Sequence, residues 1–297
     1  MCPRGDIFFM SSLSLKEPTT IDEQLDILLE RGCTISDADF CKEVLSKINY
    51  YRLSAYFLPF KTLNGDYRNG VSFEQIYKTY EFDRSVRRLI LSAVEVVEVN
   101  LRAKFSNYHA RKYGKLGYLD SENFNNRHVH DDYIKHISDT IRKNMTMPFV
   151  RHHNDKYGGQ FPFWVIIDLF TFGMLSRFFA DLKQADQRSL SQVIAGVNPA
   201  VMVSWLRCCT DLRNMCAHYG RLYYRIFPAI PSSLPESLKF AERRLFGVLW
   251  ALKHLYPDVN KWRTEVVHPL SMLITEYESA INLKHIGFPT GWESLLM

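Results

Sequence analysis

Apolar residues recur at helical spacing along most of the chain, and nowhere do they alternate for long enough to require a sheet. Thr20 is placed to cap a helix from Ile21, with Glu23 completing a capping box, Leu25, Leu28 and Leu29 as the apolar stripe, and Gly32 at the end. A second helix is predicted from Ser36, with Asp37 and Asp39 in its first turn, past Val44, Leu45 and Ile48. It leads into the aromatic block Tyr50–Phe57, stopped by Pro59, and Asn64-Gly65-Asp66 reads as a turn. From Ser72 two helical stretches are expected to reach about Lys112. In the longer, from near Asp83, Ile90, Ala93, Val97 and Leu101 fall on one side and Arg84, Arg88, Glu95, Glu98 and Arg102 on the other. Tyr113–Asn126 is loop-prone. Helices are then predicted around 132–144, as a pair or a kinked rod over 163–182, over 188–194, and as amphipathic stretches over 235–256 and 268–283.

One further run stands out. Val201, Trp205, Leu206, Cys209 and Leu212 keep helical spacing, Asn198 is suited to cap the run, Pro199 to open it and Gly220 to close it. Its last turn holds Arg213, Asn214 and His218 among the apolar Leu212, Met215, Cys216 and Ala217. Asn214 and His218 share a face, whereas Arg213 and His218 are about 140° apart on an ideal helix. They converge only if Arg213 uses its length or the helix bends. A fixed cation, an amide and an imidazole that titrates near neutrality are groups that can bind and cleave a phosphodiester. The bland alternatives are a histidine capping a helix end and an arginine paired with Asp211 or Glu95. For the charged face of the long helix, the alternatives are solvated ion pairs or a surface turned toward the Arg213–His218 helix.

The pattern thus predicts an all-α fold. Four segments are expected: a flexible leader over 1–19 with Met10 as a candidate start, an N-terminal helical cap over 20–70, a helical core over 71–230, and C-terminal helices over 231–297 packed on that core. A net charge of +5 permits a nucleic-acid partner without arguing for one. Cys2, Cys33, Cys41, Cys208, Cys209 and Cys216 show no C-x-x-C spacing, which fits a reducing, cytoplasmic setting without disulfides. No apolar run approaches the ~18 residues of a membrane span, so no membrane partner is expected. His128, His130 and His136 lack the helix-borne ligand spacing of a metal site. No metal and no cofactor are expected. His109, Arg111, Lys112, Lys115 and His128 are expected to form a loose basic surface for RNA backbone. Tyr50, Tyr51, Arg52 and Tyr56 are read as a buried aromatic cap, with base stacking as the alternative.

Arg213-Asn214 followed by His218 resembles the Arg-x-x-x-x-His signature of the HEPN superfamily of α-helical ribonucleases. Further blocks resemble the Abi-like (AbiD/AbiF-type) abortive-infection proteins, a branch of that superfamily. They are Asp22-Glu23-Gln24-Leu25 with Glu30-Arg31-Gly32, Ile48–Tyr56, Tyr80–Arg87, Glu95-Val96-Val97-Glu98 with Leu101-Arg102-Ala103, Pro162-Phe163-Trp164, Phe172–Ser176, Arg213–Arg221 and Gly287-Phe288-Pro289. The resemblance implies a HEPN-type helical bundle and a homodimer that brings two motifs together. It also implies metal-independent RNA cleavage by 2′-hydroxyl attack in anti-phage defence. By the same resemblance Arg213, Asn214 and His218 are catalytic, and Glu95, Glu98, Arg102 and Tyr219 support them. Arg221, Arg225, Arg84 and Arg88 contact RNA, and an inhibitory small RNA or antitoxin is a further partner. Tyr219 replaces a second histidine of the family pattern, and a phenol, with an ordinary pKa of about 10, is a poor base. Tyr223 and Tyr224 stand in place of Trp and Asn, Val86 and Asp168 in place of Leu and Glu. The rival readings are a non-catalytic RNA-binding module and a structural dimer holding a cognate small RNA. A group-transfer enzyme has no nucleotide motif to support it.

Overall fold

Local capping signals become helices throughout residues 17–297, which a computed structural model describes. The expected leader lies mostly outside these residues, and so does Met10. Two compact units divide the chain, one up to Tyr77 and one from Lys78. No strand is present among the described residues, which hold fourteen α-helices; the fold is all-α.

In the first unit, Thr20 and Glu23 form the capping box that starts α1 (Ile21–Glu30), and Asp37 caps α2 (Ala38–Lys47), which packs on α1. α3 (Tyr50–Phe57) follows, and isolated bridges Thr34 to Ser72 and Lys61 to Tyr67 tie the loops together. Leu28, Cys41, Leu53, Tyr56, Phe57 and Phe73 are buried, while Tyr51 is 85% exposed, so the aromatic block is only partly a core element.

The two helical stretches expected from Ser72 are one helix, α4 (Phe73–Tyr113), of 41 residues. Neither a glycine nor a proline interrupts it, so nothing local breaks the ladder. From Lys78 onward it belongs to the second unit. After α5 (His130–Lys143) and α6 (Pro148–Tyr157) come the short α7 (Phe163–Ile166) and α8 (Phe172–Asp181). The break between these two falls at Phe170-Thr171, because the Thr171 side chain accepts from the Met174 amide and starts a new helix. α9 (Gln184–Ala195) and α10 (Pro199–Ala217) are next, the latter capped by Asn198 with Pro199 at its first position. α10 packs against α8, α9 and α11 (Leu245–Leu255). The amphipathic helix expected over 235–256 is instead a 3-10 turn and α11, eight of whose eleven residues are buried. α12 (Val259–Trp262) and a π-turn come next; the stretch expected over 268–283 is α13 (His268–Glu276) followed by turns, with α14 (Trp292–Leu296) last.

Aromatic rings dominate the interior: Phe105 of α4 stacks on Phe179 of α8 at 5.8 Å, and Phe163 and Phe178 lie 4.8 Å apart. α8 thus packs on both α4 and α10, and the end of α10 reaches the middle of α4 at Arg213 and Glu98.

Candidate functional site

α10 ends in a Schellman motif. The Gly220 amide donates to the Met215 carbonyl (2.7 Å) and the Tyr219 amide to the Cys216 carbonyl (3.1 Å). His218 is the C-cap, and the left-handed position is taken by Tyr219, with φ of 57°, rather than by Gly220. Glycine is needed at 220 for a different reason: a Cβ there would lie 2.0 Å from Met215 Sδ and 3.1 Å from the Met215 carbonyl oxygen. A non-glycine residue in this conformation stores roughly 1–2 kcal/mol, strain of the kind that collects at functional sites.

The segment beyond the motif is fixed by a charged pair on α4. Asp83 and Arg87 are ion-paired and almost wholly buried. Asp83 also accepts from the Tyr223 amide at 2.9 Å and the Leu222 amide at 3.2 Å, and Arg87 donates to the Gly220 carbonyl at 3.3 Å. Neither residue was singled out from the sequence, although both lie in line with Ile90, Val94, Val97 and Leu101 at 100° per residue. A charged pair inside an apolar stripe was the available signal.

Three turns further along, Glu98 accepts from Arg102 (2.5 Å) and stands 4.0 Å from Arg213 Nε. Arg102 also donates to the Phe170 carbonyl at 2.8 Å, whereas its Nε is buried with no partner among the described residues. Arg213 therefore meets Glu98, not the expected Asp211 or Glu95. These three side chains, with Glu95, Leu91 and Val99, line a groove of about 450 Å³. Arg213 keeps 32% of its side chain exposed, and a marginal 3.5 Å contact links it to the Asn214 amide oxygen. Asn214 and His218 are exposed, and no described residue hydrogen-bonds the His218 ring. α10 stops at Ala217, and His218 follows it as the C-cap residue.

The remaining predicted positions scatter. Arg84 is exposed and paired with Glu81, and Arg88 and Arg225 are exposed. Arg221 lies 5.8 Å from the Tyr224 ring. Tyr223 is buried, and its hydroxyl accepts from the Asn282 amide at 2.6 Å, which anchors the C-terminal segment. Two members of the expected basic surface are not on it. His109 is fully buried among Tyr113, Phe124, Phe163 and Phe178, and the His128 ring is sealed against Asp181 at 3.0 Å. Lys112 is bound to the buried Asp186, which also accepts from Tyr108 and Tyr113. Among the described residues no single helix is long and apolar enough to cross a membrane.

Fold and site together define an all-α protein with a polar station at a helix end, backed by charged pairs on a long neighbouring helix. The Abi-like protein family matches residues 43–224, more than half of the chain, and the chain belongs to it. That stretch contains Asp83, Arg87, Glu98, Arg102, Arg213 and His218. Membership points to a role in abortive infection. No curated protein and no solved structure matches the chain.

Proposed function

We propose that the protein is a metal-independent endoribonuclease of the HEPN type, acting in cytoplasmic anti-phage defence as a homodimer. The observation that carries this reading is the end of α10: a half-exposed guanidinium beside an open groove, and an exposed imidazole one turn beyond it. The ribose 2′-oxygen attacks the adjacent phosphorus as a base takes its proton. The bond from phosphorus to the 5′-oxygen breaks, and that oxygen receives a proton from an acid. His218 serves as acid or base, and Arg213 with Arg102 offsets the charge of the phosphorane. One imidazole per chain does not supply both roles, and a second copy across a two-fold axis provides the other. Products are a 2′,3′-cyclic phosphate and a 5′-hydroxyl.

Labelled RNA incubated with the protein in EDTA tests this. Cleavage with those termini, reduced about 10²–10⁴-fold in His218→Ala, is expected for a lost general acid–base. Undiminished cleavage by that variant would overturn the assignment. A second reading, a non-catalytic RNA-binding module, is favoured by one observation: no described group orients the His218 ring. It predicts RNA retention without products in the same assay.

A further inference from the structure

The outward side of α10 continues well beyond its functional end. Ala200, Val203, Arg207, Asn214 and His218 fall within about 60° of one another on a helical wheel. All five are exposed or half-exposed, opposite the buried Trp205, Cys209, Leu212 and Cys216. Asp211, half-exposed, is the only acid on this side of α10. At the start of the helix the same face opens into a groove of about 970 Å³. Its walls come from the segment before α5 and from the facing ends of α8, α9 and α10. Its lining mixes Ala180, Val203 and the buried Phe124 with the amides of Asn125, Asn126, Gln184 and Gln187, and carries the cations Arg127, Arg177 and Lys183. Asp181, the carboxylate that lines the groove, is buried and already occupied by Arg177 at 2.9 Å and by His128. Arg127 and Lys183 are exposed and join no ion pair among the described residues; Lys183 Nζ stands 5.9 Å from the Tyr113 ring.

We propose that this groove and the outward face of α10 form one track for a single RNA strand, with Arg127, Arg177 and Lys183 holding phosphates remote from the scissile one. The proposal rests on the ribonuclease reading and adds a second contact region to it. Three cations around a groove lined with amides suit a phosphate backbone, with the amides free to hydrogen-bond sugars and base edges. Arg207 is a cation midway, and the track ends at Asn214 and His218. Pro199 and Asn214 are about 22 Å apart along the axis at 1.5 Å per residue. That distance corresponds to about six nucleotides at a rise of ~3.4 Å, so short oligonucleotides reach one end only.

The test uses the full chain and RNAs of about 4 and about 12 nucleotides, lengths on either side of that span. In the His218→Ala background, fluorescence anisotropy should show the longer RNA binding at least ~10-fold tighter than the shorter. R127E/K183E should erase most of that gain and flatten the salt dependence by about 1.4 log units per log unit of salt, the loss of two phosphate contacts on a single strand. R127Q/K183Q should fall between, with an unchanged Tm, and R142E on exposed α5 should behave as the parent. In the active protein, R127E/K183E should lower kcat/KM about 10-fold for the long RNA and less than about 2-fold for the short one. A length-dependent gain that survives charge reversal overturns the track. So does equal displacement by polyglutamate of matched charge, which would mark the groove as an acidic-peptide site. If neither RNA is cleaved, the ribonuclease reading fails, and the binding measurements still decide whether the groove holds RNA.

Discussion

Asp83–Arg87 and Glu98–Arg102 are the same device twice: an acid and an arginine four residues apart on α4, each aimed at the end of α10. They differ in completion. In the first pair every group is enclosed, with carboxylate and guanidinium filled by each other and by the backbone of Gly220, Leu222 and Tyr223. The second is open to a groove, shares its one carboxylate with Arg213, and leaves Arg102 Nε without an acceptor. Enclosure makes a charged pair a structural fastener, since removing one partner strands the other in a medium that cannot solvate it. Openness, with donors to spare, leaves a pair able to exchange its partner for a phosphate.

The largest effect expected from this contrast is on Asp83. Asp83→Ala should cost about 3–5 kcal/mol in denaturant unfolding, the usual result of breaking a buried pair from one side. Replacing Asp83 and Arg87 together by apolar residues should recover only part of that loss. The Leu222 and Tyr223 amides would still lack an acceptor, at roughly 1–3 kcal/mol for each buried group left unpaired. Full recovery would mean that the pair serves only itself and does not secure the segment after the motif.

Next in size is His109, a third polar station on α4, which has enclosure without partners. Both ring nitrogens are buried with no partner among the described residues, and burial, opposed by Asp186 and aided by Lys112, holds the imidazole down at about 4. In the unfolded chain it would take up a proton near pH 6.5. Between those values the unfolded state binds more protons, so stability should fall as the pH drops from about 6.5 toward 4, by about 3 kcal/mol in all. His109→Phe should flatten that part of the stability–pH curve, and a slope equal to the parent's would remove His109 as its source.

The contrast also shows what could be read beforehand. Capping residues carried α1 and α10, because a cap acts within a few residues of itself, whereas α2 is capped by Asp37 and not begun at Ser36. Periodicity assigned α4 its two faces and put Glu98 on the charged one, yet which acid of that face meets α10 is set by the packing of the two helices. Arg213 was recognisable as a cation that needs an acid, but choosing Glu98 over Glu95 or Asp211 depended on the rotation of two helices against each other. Gly220 was marked as the helix end for its backbone freedom, whereas its lack of a side chain beside Met215 is what matters. The sequence groups His109 with the basic Arg111, Lys112 and Lys115 as surface; the aromatic cluster that encloses it comes from α7, α8 and the loop before α5, all distant in sequence.

The smallest expected effect sharpens the comparison from the open side. Glu98→Gln keeps an oxygen that can accept from Arg102 and removes only the charge. Because Glu98 is near water and its partners are partly exposed, stability should change by less than about 1 kcal/mol, within the range for incompletely buried pairs. The same substitution leaves Arg102 and Arg213 facing the groove with Glu95 as its one remaining carboxylate. RNA affinity of the His218→Ala protein should therefore rise when Glu98→Gln is added, and its salt dependence should steepen, since phosphate then competes with one carboxylate fewer. Stability and affinity would then move independently at Glu98, whereas at Asp83 the loss of stability dominates. A Glu98→Gln protein destabilised as severely as Asp83→Ala, with no gain in affinity, would show that both pairs are fasteners and that the groove beside Arg213 is a by-product of packing.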